Sequence, residues 1–135
     1  MGSPVAHCTL HRYDVSLRLT EIYELVEIMR ARLAPHGVET VAFGHLGDGN
    51  VHLNFVTPGV RQPSAEVLGA IEPFVFEWIA ERRGSISAEH GIGVMKPSML
   101  HLSKPPPVID VMHGIKRLLD PNGILNPGKV LPARR

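Results

Sequence analysis

At 135 residues the chain is long enough for one domain with a single modest core and too short for two of ordinary size. Apolar residues make up 44% and charged residues 20%, with a net charge of +1, so the composition implies no polyanion partner such as nucleic acid. No apolar run approaches the roughly 18 residues of a membrane span, and Cys8, the one cysteine, leaves no internal disulfide and restricts any metal site to nitrogen and oxygen ligands.

The start, Met1-Gly2-Ser3-Pro4, has neither the apolar core of a signal peptide nor an arginine-rich transit pattern and reads as an artificial start or scar. Cys8 reads as a small, partly buried apolar residue. Residues from about Thr9 to Leu17 alternate, which predicts a first strand with Leu10, Tyr13, Val15 and Leu17 inward and Arg12 and Asp14 on the other face. Thr20 then caps an amphipathic helix to about Ala34, with Glu24 in its first turn, Ile22, Leu25, Val26, Met29 and Leu33 as its stripe, and Pro35 and Gly37 as its stop.

Glu39 to Val56 reads as a hairpin. A two-residue Asp48-Gly49 turn pairs Gly47 with Asn50, Leu46 with Val51 and His45 with His52. Ala42, Leu46, Val51, Leu53 and Phe55 then share a core face, and Phe43, His45, His52 and Asn54 share the other. Ser64 caps a second helix running to about Arg83, with Val67, Leu68, Ile71, Val75, Trp78 and Ile79 buried and Pro73 marking either a kink or two shorter helices. After Gly84, Ser85 to His90 reads as a strand with Ile86 and Ala88 inward and Ser85, Ser87 and Glu89 opposite. A last helix from about Pro107 to Leu119 carries Ile109, Met112, Ile115, Leu118 and Leu119 on its apolar face, and the tail to Lys129 is a series of turns. The order β-α-β-β-α-β-α predicts an α+β domain, a ferredoxin-like antiparallel sheet backed by helices.

Of eight histidines, His7, His11, His36, His101 and His113 read as surface or satisfied structural residues. Facing pairs on a sheet sit about 5 Å apart at Cβ, which lets His45 and His52 converge on one ion. With Glu89 they form a set of two imidazoles and a carboxylate, common for a divalent metal that keeps open positions. Zinc is the first choice, with manganese, cobalt and iron compatible; the alternative is a polar pair of histidines and a surface Glu89. His90 is the candidate general base, provided the chain turns at Gly91. Asn54 is placed to contact a substrate. Arg12 offers a bidentate grip on a carboxylate, or else is a solvated strand charge. Lys96 and Lys104 read as surface residues.

Arg12 to Leu17, Gly44 to Asn54, Gly84 to Gly93, Ser103 to Pro106 and Leu119 to Lys129 together resemble the C-terminal part of FAD-linked 2-hydroxyacid dehydrogenases of the vanillyl-alcohol-oxidase type. Ser87-Ala88-Glu89-His90-Gly91, where D-lactate relatives carry Thr-Gly-Glu-His-Gly, and the presence of Asn54 favour the branch acting on D-2-hydroxyglutarate. The resemblance implies that residues 1–135 are a C-terminal substrate- and metal-binding domain, without the N-terminal FAD-binding domain and inactive alone. It implies His45, His52 and Glu89 as metal ligands, His90 as base and substrate contact, Asn54 and Arg12 as substrate contacts, and Asn126 in a tail that returns towards FAD. At Arg12 the family carries lysine, which keeps the charge and changes the reach.

The implied reaction is oxidation of D-2-hydroxyglutarate to 2-oxoglutarate, with electrons passed to an electron-transfer flavoprotein or another acceptor. The implied location is the mitochondrial matrix in a eukaryote or the cytoplasm in a bacterium. Apolar surface facing the absent domain implies self-association. The alternatives are a dehydrogenase of D-lactate, glycolate or another 2-hydroxy acid, or a stand-alone ferredoxin-like metal-binding or interaction module.

Overall fold

The computed structural model describes residues 8–133, with side chains from Leu10 onward; Met1 to Pro4, His7 and the side chain of Cys8 lie outside the described residues. The first alternating stretch forms β1, Cys8–Ser16. Its odd positions Tyr13 and Val15 are buried. Leu10, expected in the core, is 49% exposed because strand geometry puts it on the even-numbered face with Arg12 and Asp14.

The helix α1, Leu19–Leu33, buries Leu25, Val26, Met29 and Leu33 as its spacing predicts. It starts ahead of Thr20: Arg18 occupies the cap position with no side-chain bond, and Glu21 is the acid of the first turn. Glu24 instead pairs with Arg82 at 3.3 Å. A 3-10 turn, Ala34–His36, contains Pro35 and ends on left-handed Gly37.

β2, Glu39–His45, and β3, Asn50–Pro58, form the expected hairpin, and β3 is central in an antiparallel sheet of order β1-β3-β2. The register is offset by two residues from the expected one: His45 faces Asn50, Gly44 faces Val51 and Phe43 faces His52. The cause is a four-residue loop in place of a two-residue turn. Asp48 turns its carboxylate onto the Asn50 N–H at 3.0 Å, and the Gly49 carbonyl accepts from Leu17 N–H at 3.0 Å, which ties the loop to the end of β1. An offset of two keeps every side chain on its predicted face. Leu46, however, sits in the loop and is 70% exposed.

Beyond Ser64, whose hydroxyl accepts from Val67 N–H at 3.2 Å, Pro73 separates two helices, α2, Ala65–Ile71, and α3, Phe74–Glu81. Val67, Ile71, Val75, Trp78 and Ile79 are buried, whereas Leu68 faces out. With α1 they cover the odd-numbered face of the sheet, where Tyr13 meets Phe55 edge-on at 5.5 Å and Phe76 at the same distance.

The expected strand at Ser85 to His90 is absent. Ser85 makes one bridge to Ser16, with two backbone hydrogen bonds of 3.0 and 2.9 Å, and the ladder stops there. The Ser85 hydroxyl bonds locally, to the carbonyl and N–H of Ser87, and the Asp14 carboxylate captures the next amides. Ile86 is buried as predicted but Ala88 is exposed. The α+β class holds, and the strand order follows the ferredoxin-like plan until its last strand, of which this bridge remains.

The last helix, α4, Pro106–Leu119, buries no residue; Ile115, Leu118 and Leu119 of its apolar face are exposed. Asp120 closes it. Its carboxylate accepts from Ile124 N–H at 3.1 Å, Leu125 N–H at 3.0 Å and the Lys116 ammonium. The Lys116 bond first, then the Leu125 and Ile124 amides, hold the Asp120 carboxyl below its usual range against the opposing effect of burial. A depressed folded-state pKa contributes stability that is present above the ordinary carboxylate range and lost as pH falls through the folded value. Amide exchange at Ile124 and Leu125 is therefore expected to lose protection in acid, and Asp120→Asn to remove that pH dependence. Protection independent of pH in the parent chain would contradict the cap.

Candidate metal and substrate site

The even-numbered face of the sheet carries Arg12 and Asp14 from β1, with His52 and Asn54 from β3 directly opposite them in crossed order: Arg12 faces Asn54 and Asp14 faces His52. Because β3 is central, His52 has a strand on either side and is 6% exposed, and Asn54 is 4% exposed. The segment after Gly84 closes over this face. Its shape is set by Asp14, 1% exposed, whose Oδ2 accepts from the N–H groups of Glu89 at 2.9 Å and His90 at 2.8 Å. Two successive amides converging on one anion form a nest, a stronger local pull than a continued strand ladder. Burial opposes ionisation of Asp14, but these backbone bonds and the nearby His90 outweigh it and hold the carboxyl below its usual range.

Turning the chain in this way frees Glu89 and His90 from strand alternation, so both reach His52. Glu89 Oε1 lies 3.1 Å from His52 Nε2 and 3.7 Å from His90 Nε2. The His90 ring stacks on His52 with centroids 5.2 Å apart. Donor atoms of Asp14, His52, Glu89 and His90 all lie within 4.8 Å of one another. His45 is the outlying member of the predicted set. Two positions along from Phe43, the residue facing His52, it lies diagonal to His52, with ring centroids 6.0 Å apart, and is exposed.

Asn54 Oδ1 accepts from Arg12 Nε at 3.3 Å, and its Nδ2 donates to the His52 carbonyl at 3.1 Å. An amide nitrogen carries two hydrogens, so one remains available. Arg12 and His90 line a cavity of about 460 Å³, together with Tyr13, Glu72 and Lys96. Lys96 is no surface residue: it is half-buried, donates from Nζ to the Ile86 carbonyl at 2.7 Å, and has its pKa lowered by burial. Asn126 stands apart, in the turn after α4, on the wall of an apolar hollow of about 880 Å³ with Met112, Leu119 and Leu125. The two hollows share Gly93 and Val94.

Asp14 is the site residue that sequence reasoning missed. The strand period places it on the correct face and says nothing of its burial. A usable signal existed: an acid at strand period two from Arg12, on the face that carries the histidines, belongs to the same polar cluster.

The family model for the C-terminal domain of FAD linked oxidases matches residues 6–130. The chain belongs to this family. Among curated relatives, D-2-hydroxyglutarate dehydrogenase from Rattus norvegicus is 51% identical over 123 residues, which cover 91% of this chain and 22% of the relative. The Arabidopsis thaliana enzyme of the same name is 50% identical over 123 residues, 91% of this chain and 21% of its own length. A D-2-hydroxyglutarate–pyruvate transhydrogenase from Saccharomyces cerevisiae is 41% identical over 131 residues, 90% of this chain and 26% of its own. The chain thus spans about a fifth to a quarter of the relatives it matches, and the rat and Arabidopsis proteins are labelled mitochondrial.

Proposed function

We propose that this chain is the substrate- and metal-binding domain, residues 1–135, of an FAD-dependent dehydrogenase that oxidises D-2-hydroxyglutarate to 2-oxoglutarate. The observation that carries this reading is the meeting of His52, Glu89 and His90 from separate segments beside a cavity that Arg12 lines. The donor set fits a divalent ion: a neutral imidazole nitrogen and a carboxylate oxygen 3.1 Å apart can both ligate, within a group of side-chain donors that lie within 4.8 Å of one another. His52 and Glu89 would hold the ion, with His45 as the third ligand, and zinc would suit two nitrogens and one oxygen.

A bound divalent ion would supply Lewis-acid polarisation of the substrate's 2-hydroxyl and adjacent carboxylate, and FAD would supply the acceptor for the C2 hydride. His90 takes the hydroxyl proton at its ring nitrogen, within reach of the same space that Glu89 faces. Arg12, held by Asn54, presents its remaining guanidinium donors to a substrate carboxylate. Most of the FAD site lies in the further length that the relatives possess. Asn126 and the apolar hollow beside it are placed to face that part, and exposed Ile115, Leu118 and Leu119 are the surface it covers. Without it, the same surface drives self-association; sedimentation showing monomers at every concentration would argue against this. Electrons leave to an electron-transfer flavoprotein or another acceptor, in mitochondria if the source is eukaryotic.

The test is a substrate panel on the protein together with its flavin-binding part. D-2-hydroxyglutarate is expected to be turned over in clear preference to D-lactate and glycolate, and equal turnover of lactate would overturn the substrate assignment.

A further inference from the structure

We infer that Asp14 is a positioning residue that fixes the tautomer of His52, directing its Nδ1–H inward and leaving Nε2 bare on the side of Glu89. This rests on the metal-site reading above. Two buried polar atoms lack a hydrogen-bond partner within one cluster: Asp14 Oδ1 and His52 Nδ1, which lie 3.7 Å apart. Both residues are almost wholly buried, and leaving both atoms unpaired is costly. An approach of roughly 0.8 Å brings them to ordinary N–H···O distance.

The other oxygen of Asp14 decides the direction of that bond. Oδ2 already accepts from the N–H groups of Glu89 and His90 and lies 3.4 Å from the Ser87 hydroxyl, which holds the carboxylate in place. An ionised carboxylate only accepts, so His52 must donate from Nδ1. Neutral imidazole carries one N–H, and Nε2, 3.1 Å from Glu89 Oε1, is then a bare acceptor facing a second acceptor, a pair that a cation shared between them satisfies. A single ring presents its two nitrogens in different directions, so an ion on Nε2 lies away from Asp14. Asp14 acts behind the histidine, as outer carboxylates do at metal-bound imidazoles, and not as a ligand.

Asp14→Asn separates this role from the holding of the loop. The amide oxygen must stay towards the Glu89 and His90 amides, because an NH2 group there would meet two donors. The NH2 then faces His52 Nδ1, turns it into an acceptor and moves the ring proton to Nε2. The experiment is nitrogen-15 NMR of the histidine rings in the metal-free chain above the usual histidine titration range, paired with titration by zinc alone. The expected result is Nδ1–H on His52 in the parent, Nε2–H in Asp14→Asn, and zinc affinity at least about 10-fold weaker in the variant. Nε2–H or two protonated nitrogens on parent His52 would overturn the inference, as would an unchanged tautomer in a folded variant. The parent spectrum decides even where the variant does not fold. An Nδ1–H parent that binds no zinc supports the positioning role and removes the metal reading instead.

Discussion

Glu89→Gln is expected to weaken zinc binding by more than the roughly 10–100-fold that loss of an outer partner of a metal ligand costs, while leaving the fold untouched. Glutamine keeps the shape of the side chain and removes the charge that makes its oxygen a good ligand. Glu89 is half-exposed, so the exchange opens no cavity and strands no buried charge. The backbone N–H that fastens this residue to Asp14 is unchanged by the substitution. Thermal stability should therefore stay within about 0.5 kcal/mol of the parent, as for ordinary surface exchanges. Calorimetric titration with zinc, alongside a melting curve, checks both halves. Parent-like affinity would remove Glu89 from the ligand set.

The opposite pattern is expected at Gly49, where stability should fall by roughly 2–5 kcal/mol on substitution by alanine. Gly49 has φ of 72°, a left-handed conformation that L-residues adopt at a cost, and an added Cβ would lie 2.1 Å from the Leu17 carbonyl oxygen. Relief of that clash breaks the Leu17 N–H to Gly49 carbonyl bond, the tie that gives the hairpin its register. Gly47, two residues earlier in the same loop, has no atom within 4 Å of an added Cβ. Gly47→Ala is the internal control and should be nearly neutral in chemical denaturation. Equal losses at the two positions would show that loop flexibility, and not the contact with Leu17, matters.

Asp48-Gly49 predicts a local two-residue turn, which local chemistry favours. Gly49 is instead held by a residue more than 30 positions away in sequence, so the turn opened to four residues. The error was harmless for face assignment because an even offset preserves it, and His52 and Asn54 kept company with Arg12 and Asp14. It was not harmless for His45, which moved from directly opposite His52 to diagonal. Ser85 to His90 failed as a strand for a related reason: serine hydroxyls and the Asp14 carboxylate offered its amides better partners than a neighbouring strand did.

Periodicity sufficed for α1 and for most of the inward face of β1 and of α2 and α3, with Leu10 and Leu68 as exposed exceptions, since a solvent boundary on one side of each element writes its period into the sequence. The motifs around His52 and Glu89 likewise sufficed to mark the family, which the match over residues 6–130 bears out. Only the tertiary structure decided that Asp14 is buried, that Glu89 and His90 both reach His52, and that Lys96 turns inward. Each of those depends on which distant amide or carbonyl finds an unpaired partner once the chain is closed. That competition for buried hydrogen bonds has no period, and so leaves no trace that can be read along the chain.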